Sequence, residues 1–163
     1  MARVFISIGS NIDRDVQIIA GVQALQAHYG EVTLSSVYEC EPVGFTGDHF
    51  YNLVAEVETD VSPGQVGQDL KNLEKGAGRI DFSKKFSARK LDLDILLYDD
   101  QVLDSPVQIP RDEIPENAYV LWPLAELAPN LVHPVLNKSY QQLWQEYDKT
   151  KQIIRKVPFT WPE

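Results

Sequence analysis

The sequence predicts an α/β (α+β) fold: a ferredoxin-like antiparallel sheet with helices packed on it, forming a single three-layer domain over residues 1–163. Three observations carry this. A chain of 163 residues with 44% hydrophobic side chains is long enough for one compact core and too short for two. Its apolar residues recur with period two in some segments and at spacings of three and four in others. Taken in order, those segments run strand, helix, strand, strand, helix, strand, then a hairpin and helical additions, which is the split βαβ pattern.

Val4 to Ile8 is rich in β-branched and aromatic residues and bounded by Gly9, Ser10 and Asn11, so it reads as a buried first strand. Ile18, Ile19, Val22, Leu25 and Tyr29 sit at helical spacing between Arg14 and Gly30 and predict an amphipathic helix. Val32 to Tyr38 reads as a strand, and PVGFTGD after it as a loop on its Pro and Gly content. Phe50 to Glu58 alternates as the next strand. Ser62 and Pro63 suit the N-cap and first position of a second helix, with Val66, Leu70 and Leu73 on its apolar stripe and an end near Gly76 or Gly78. Leu91 to Tyr98 is the following strand, Asp99 to Gln101 a turn, and Val102 to Leu103 a short return strand. Pro123 opens a short helix in WPLAELAPN, and Ser139 to Lys149 forms another.

The net charge of −9 repels nucleic acid and acidic membrane surfaces at long range, so neither is an expected partner. Cys40 is the only cysteine, with no partner for a disulfide and no zinc spacing around it, which fits a reducing compartment. VFISI is far too short for a signal-peptide core or a membrane span. A cytoplasmic monomer is the expectation.

The most informative stretch is KFSARKLDLDILLYDD. On a strand, Leu91, Leu93 and Ile95 face one way while Asp92 and Asp94 project side by side the other way, about 6.6–7 Å apart. One reading is a half-solvated strand whose wet face is acidic. The other is a divalent-metal site, because paired carboxylates on a rigid strand suit Mg²⁺ that also takes oxygens from a substrate's phosphates. Five of the fifteen bases, Arg79, Lys84, Lys85, Arg89 and Lys90, precede the pair. Such a loop is either a solvated basic turn or a clamp for a metal-chelated phosphate ester. The sequence holds no GxxxxGK[ST] loop, which excludes a P-loop enzyme.

Phe50 and Asn52 share a strand face and set a flat ring beside an amide, a pair able to read a planar heterocycle or simply to pack a strand end. Gly9 to Asn11 suits a helix N-cap region better than a phosphate-binding turn. Tyr119 and Trp122 read as core aromatics, and His28, His49 and His133 have no spacing that suggests chemistry.

Four segments in order, FISIGSN, PVGFTGDHFYN, ARKLDLDILLYDD and YVLWPLAELAP, resemble the 6-hydroxymethyl-7,8-dihydropterin pyrophosphokinase family of folate biosynthesis over about residues 4 to 130. RKLDLDILLY is close to the family's R-T-L-D-L-D-I signature. The resemblance implies a Mg²⁺-dependent enzyme that moves the terminal pyrophosphoryl unit of ATP to a pterin's hydroxymethyl oxygen and releases AMP. It implies that Asp92 and Asp94 hold two Mg²⁺ ions and that Arg89 binds ATP phosphates. Glu74, Arg79 and Arg111 fall on the nucleotide side. Asn52 would read the pterin edge with backbone groups around Cys40, Pro42 and Val43, while Phe50 and Tyr119 stack its ring.

This chain also departs from the family pattern. Phe86, Ser87, Ala88, Arg89 and Lys90 stand where the family reads W-G-P-R-T, and Asp81 where an Arg is common. Arg111, Asp112 and Asn117 take the places of a His, an aromatic and an Arg. The pterin half is better preserved than the ATP half, which implies a weaker grip on ATP. The alternative reading is a non-catalytic or altered-substrate pterin- or nucleotide-binding paralogue.

Overall fold

The computed structural model describes residues 1–42, 47–78 and 91–162. In chain order the elements are β1 (Ala2–Ser10), α1 (Arg14–Tyr29), β2 (Thr33–Leu34), β3 (Val37–Cys40), β4 (Phe50–Thr59), α2 (Pro63–Gly78), β5 (Asp92–Tyr98), α3 (Ala118–Leu127), α4 (Tyr140–Glu146) and β6 (Ile154–Val157). The sheet runs β5-β1-β4-β3-β6, with β2 also on β4, and these pairings are antiparallel. Strands β5, β1, β4 and β3 reproduce the predicted split βαβ core.

Alternation along the strands explains the layers. Val4, Ile6, Ile8, Leu53, Leu93 and Ile95 point to one face, where Ile18, Val22 and Leu25 of α1 and Val66 and Leu70 of α2 cover them. Phe5, Val54, Leu96 and Leu97 point to the other, beneath Val120, Leu121 and Leu124 of α3 and Tyr140 of α4. Each fully buried aliphatic side chain contributes about 1.5–3 kcal/mol relative to exposure, so both helical layers are held chiefly by burial. A bulge between the β1 and β5 registers lets Leu96 and Leu97 both join the second face.

The structure corrects several boundaries. The expected strand Val32 to Tyr38 is two strands, because Ser35 and Ser36 leave the regular ladder. Ser35 Oγ accepts from Val54 N at 2.9 Å, and Ser36 N donates to Glu126 Oε1 at 3.0 Å. The expected return strand Val102 to Leu103 is a single bridge between Leu103 and Ile109. Pro106 and Val107 follow it and instead press on Gly64 and Gly67 of α2, where an added Cβ would meet them at 2.5 and 2.6 Å.

Helix α3 starts at Ala118, five residues before Pro123, which lies inside it. The buried run Val120, Leu121, Leu124 and Ala125 offsets the hydrogen bond that the proline removes. Helix α4 stops at Glu146, short of Lys149, because Tyr147 turns extended, stacks on Trp144 at 5.6 Å and donates its hydroxyl to Glu116 O at 2.9 Å. Gly9 and Ser10 end β1 and do not belong to the helix cap, which is Asp13. Strand β6 went unpredicted: its apolar Ile154 and Val157 bracket Arg155 and Lys156, too little alternation to read without its partner β3. Among the described residues no helix is long and apolar enough to cross a membrane.

Glu126 ties α3 to β3 by accepting from Ser36 N, Ser36 Oγ and Tyr38 Oη at 3.0, 2.6 and 2.6 Å. Burial opposes its charged form, but these bonds and nearby Lys156 outweigh that and hold the carboxyl below its ordinary range. A carboxyl depressed on folding stabilises fully above its unfolded pKa of about 4.3 and loses that contribution as pH falls through the folded value. In urea titrations the stability gap between the parent and Glu126→Gln is therefore expected to be largest at pH 7 and to shrink toward pH 3. A gap that stays constant would show that the charge of Glu126 is unimportant.

Candidate active site

Strand β5 lies at the edge of the sheet, so its outward backbone groups need partners from elsewhere. Helix α2 and the segment before α3 supply them. Glu74 accepts from Leu93 N at 2.6 Å, Lys71 Nζ lies 3.5 Å from Leu93 O, and Arg111 N donates to Leu96 O at 3.0 Å. The same residues surround the carboxylates. Lys71 Nζ is 3.2 Å and Arg111 Nη1 3.7 Å from Asp94 Oδ1, and Lys71 also pairs with Glu74 at 3.1 Å.

Leu93 and Ile95 are buried while Asp92 and Asp94 are half-buried on the opposite face, as the alternation requires. Burial works against the charge of Lys71 and Arg111, yet Asp94 raises the pKa of both, joined by Glu74 at Lys71 and by Glu113 and Asp92 at Arg111. Both bases stay cationic beside the acidic pair. A cavity of about 380 Å³ opens here between α2 and Pro106 to Gln108, with Lys71, Asp94 and Arg111 on its wall.

Register places the second half of the site. Asp92 pairs with Gly9, Gly9 with Asn52 and Asn52 with Tyr38, so one transverse row crosses four strands on the α3 side. Two strand spacings, about 9–10 Å, separate the Cα atoms of Asp92 and Asn52. Only Gly9 lies between them, and a Cβ on it would sit 2.6 Å from Asn52 Oδ1. The missing side chain keeps the face open between the carboxylate and the amide.

Asn52 is 9% exposed, and its Nδ2 donates to Cys40 Sγ at 2.8 Å. Burial pushes the Cys40 thiol up to about 12 despite that bond, so Cys40 is a neutral wall and no nucleophile. Phe50 pairs in register with Cys40. Tyr119 Oη meets Asn117 Nδ2 at 2.9 Å and Glu113 Oε2 at 3.5 Å, and desolvation, with the charge of Glu113, raises its pKa.

The structure thus groups Asp92, Asp94, Glu74 and Arg111 on one flank and Cys40, Phe50 and Asn52 on the other, while Tyr119 is held by Asn117 and Glu113, the latter bonded to Arg111. Pro42 is half-exposed at the end of its described segment. Val43, Arg79 and Arg89 lie outside the described residues. Sequence reading missed Lys71, whose i,i+3 spacing to Glu74 beside the Leu70–Leu73 stripe was the available signal. It also missed the spacer role of Gly9, which only register reveals. Among the described residues no three His, Cys, Asp or Glu side chains gather to hold a metal.

Fold and site define a class: a ferredoxin-like α/β domain with a carboxylate pair among cations on one flank and an aromatic and amide corner on the other. The family model described as 7,8-dihydro-6-hydroxymethylpterin-pyrophosphokinase (HPPK) matches residues 5–129, and the chain belongs to that family.

It is 31% identical over 149 residues to the 2-amino-4-hydroxy-6-hydroxymethyldihydropteridine pyrophosphokinase of Aquifex aeolicus, covering 90% of this chain and 92% of the relative. Identity to the Pseudomonas aeruginosa protein of the same name is 35% over 137 residues, covering 81% and 84%. The folic acid synthesis protein fol1 of Pneumocystis carinii is 33% identical over 147 residues, which span 88% of this chain but 20% of that protein. A Plasmodium falciparum HPPK-DHPS structure with pteroate shares the fold at a TM-score of 0.67 and 17% identity, over 90% of this chain and 42% of that one.

Gly9→Ala tests the open row. The new methyl must displace Asn52 from Cys40, which is expected to destabilise the fold by about 1–3 kcal/mol in urea melts. An unchanged midpoint would mean that the row closes without cost.

Proposed function

We propose that this chain transfers the terminal pyrophosphoryl unit of ATP to the hydroxymethyl oxygen of 6-hydroxymethyl-7,8-dihydropterin, giving the pterin diphosphate and AMP in folate biosynthesis. The observation that carries this is the single row in which Asp92 and Asn52 share one sheet face across the bare Gly9. Asn52, with Phe50 and Tyr119, offers the amide edge and aromatic faces that a pterin requires. On the other side of Gly9 stands Asp92, and Asp94 on the same strand lines the cavity that would take the nucleotide.

Two carboxylates suit Mg²⁺, which binds through one or two carboxylates, waters and substrate phosphates and needs no closed protein cage. When bound, two such ions with ATP would neutralise phosphate charge and polarise the group being transferred. The protein's own task is positioning. Lys71 and Arg111 supply cations for the phosphate oxygens, and the family resemblance adds Arg79 and Arg89 to them. No side chain need attack phosphorus, since alignment of the pterin hydroxyl with the phosphate chain provides most of what phosphoryl transfer asks of a protein.

Membership of a family whose relatives are named pyrophosphokinases, with both aspartates retained, favours the enzyme over the non-catalytic binder. Release of AMP from ATP, dependent on both Mg²⁺ and the pterin, is the decisive assay. Asp92→Ala and Asp94→Ala are each expected to lower kcat by about a hundredfold or more with the fold intact. Parental turnover in both would remove the metal role.

Asn52→Leu leaves the ring's donors and acceptors unpaired and should weaken pterin binding by about 1–3 kcal/mol in calorimetry. An unchanged Kd would take Asn52 out of the pocket.

A further inference from the structure

The α3 N-terminus carries a hydrogen-bond relay whose polarity is fixed at one end. Ala118 N, which can only donate, is accepted by Gln152 Oε1 at 2.8 Å. The Gln152 amide is thereby oriented so that Nε2 donates to Asn117 Oδ1 at 2.9 Å. Asn117 must then turn Nδ2 the other way, where it meets Tyr119 Oη at 2.9 Å and Glu113 Oε2 at 3.2 Å. The other oxygen of Glu113 accepts from Arg111 Nε at 2.6 Å, and Arg111 faces Asp94. Arg111 and Asn117, two of the positions at which this chain departs from its family, are thus joined in one network. Gln152 lies beyond residue 129, outside the span that the family model matches.

We propose that Gln152 is a positioning residue for the pterin pocket, setting the Asn117 amide and through it the Tyr119 hydroxyl. This rests on the reading of Tyr119 as a pterin-stacking residue. The segment entering β6 would then act on the site as well as extending the sheet edge. The effect should fall more on the pterin than on ATP, because Arg111 holds Glu113 through an oxygen that Asn117 does not use.

Two variants separate this role from simple helix capping. Gln152→Leu removes both bonds. Gln152→Glu keeps an acceptor for Ala118 N, with a charge favourable at a helix N-terminus, but cannot donate to Asn117. Gln152→Glu is therefore expected to melt at or above the parental temperature yet bind 6-hydroxymethylpterin about fivefold more weakly in calorimetry, the loss typical of one neutral hydrogen bond. KM for the pterin should rise in step, with kcat and KM for ATP within about twofold. Gln152→Leu should lose both melting temperature and pterin affinity.

Parental pterin affinity in Gln152→Glu would overturn the proposal and leave Gln152 a helix cap. If the parent itself neither binds the pterin nor releases AMP, it is the functional reading that fails. The positioning role is then decided in the ligand-free protein by NMR: the Asn117 side-chain amide and Tyr119 ring resonances should shift in Gln152→Glu, and unshifted resonances would overturn it.

Discussion

Two carboxylates side by side on an edge strand repel each other and need countercharge, and this constraint organises one whole end of the molecule. Asp94 meets it with Lys71 from α2 and Arg111 from the segment before α3. Those residues also satisfy the open backbone of β5, Lys71 at Leu93 O and Arg111 through its main-chain N–H to Leu96 O. Charge balance and edge protection are therefore met by the same two residues. The β5 bulge next to Leu96 belongs to this arrangement, since a regular ladder would not open the strand there.

The second constraint is the absence of a side chain at Gly9. On a central strand flanked by β4 and β5, any larger residue would fill the row that Asp92 and Asn52 share. A rigid, buried sheet holds both groups at a fixed separation, and rigidity of this kind is what a reaction governed by alignment needs. The polar groups stand at the strand ends beside the loops, whereas the strand centres carry Ile6, Val54 and Ile95 into the two cores.

The substitutions at Arg111 and Asn117 look in sequence like losses from a phosphate grip. In the fold they are parts of another arrangement, in which Arg111 binds Glu113 and Asp94 while Asn117 binds Glu113, Tyr119 and Gln152. Each polar atom of the Asn117 amide has a partner. The charge of Arg111 is here tied partly to the protein's own carboxylates, which joins Asp94 to Tyr119 through side chains.

Periodicity alone determined the order of the main elements, the split βαβ core and the shared face of Asp92 and Asp94, because alternation along one strand is a local property of the chain. It placed Arg14 to Tyr29 and the Ser62–Pro63 helix start correctly for the same reason. The division of Val32 to Tyr38, the early start of α3 through Pro123, and β6 were decided by tertiary partners: Glu126 of α3, the second core, and the edge of β3. The site divides the same way. Residue types named the carboxylates, the amide and the rings, but Lys71 beside Asp94, Gly9 between Asp92 and Asn52, and Gln152 behind Tyr119 depend on contacts between residues far apart in the chain. Only strand register and helix packing bring them together, and neither is encoded in a local pattern.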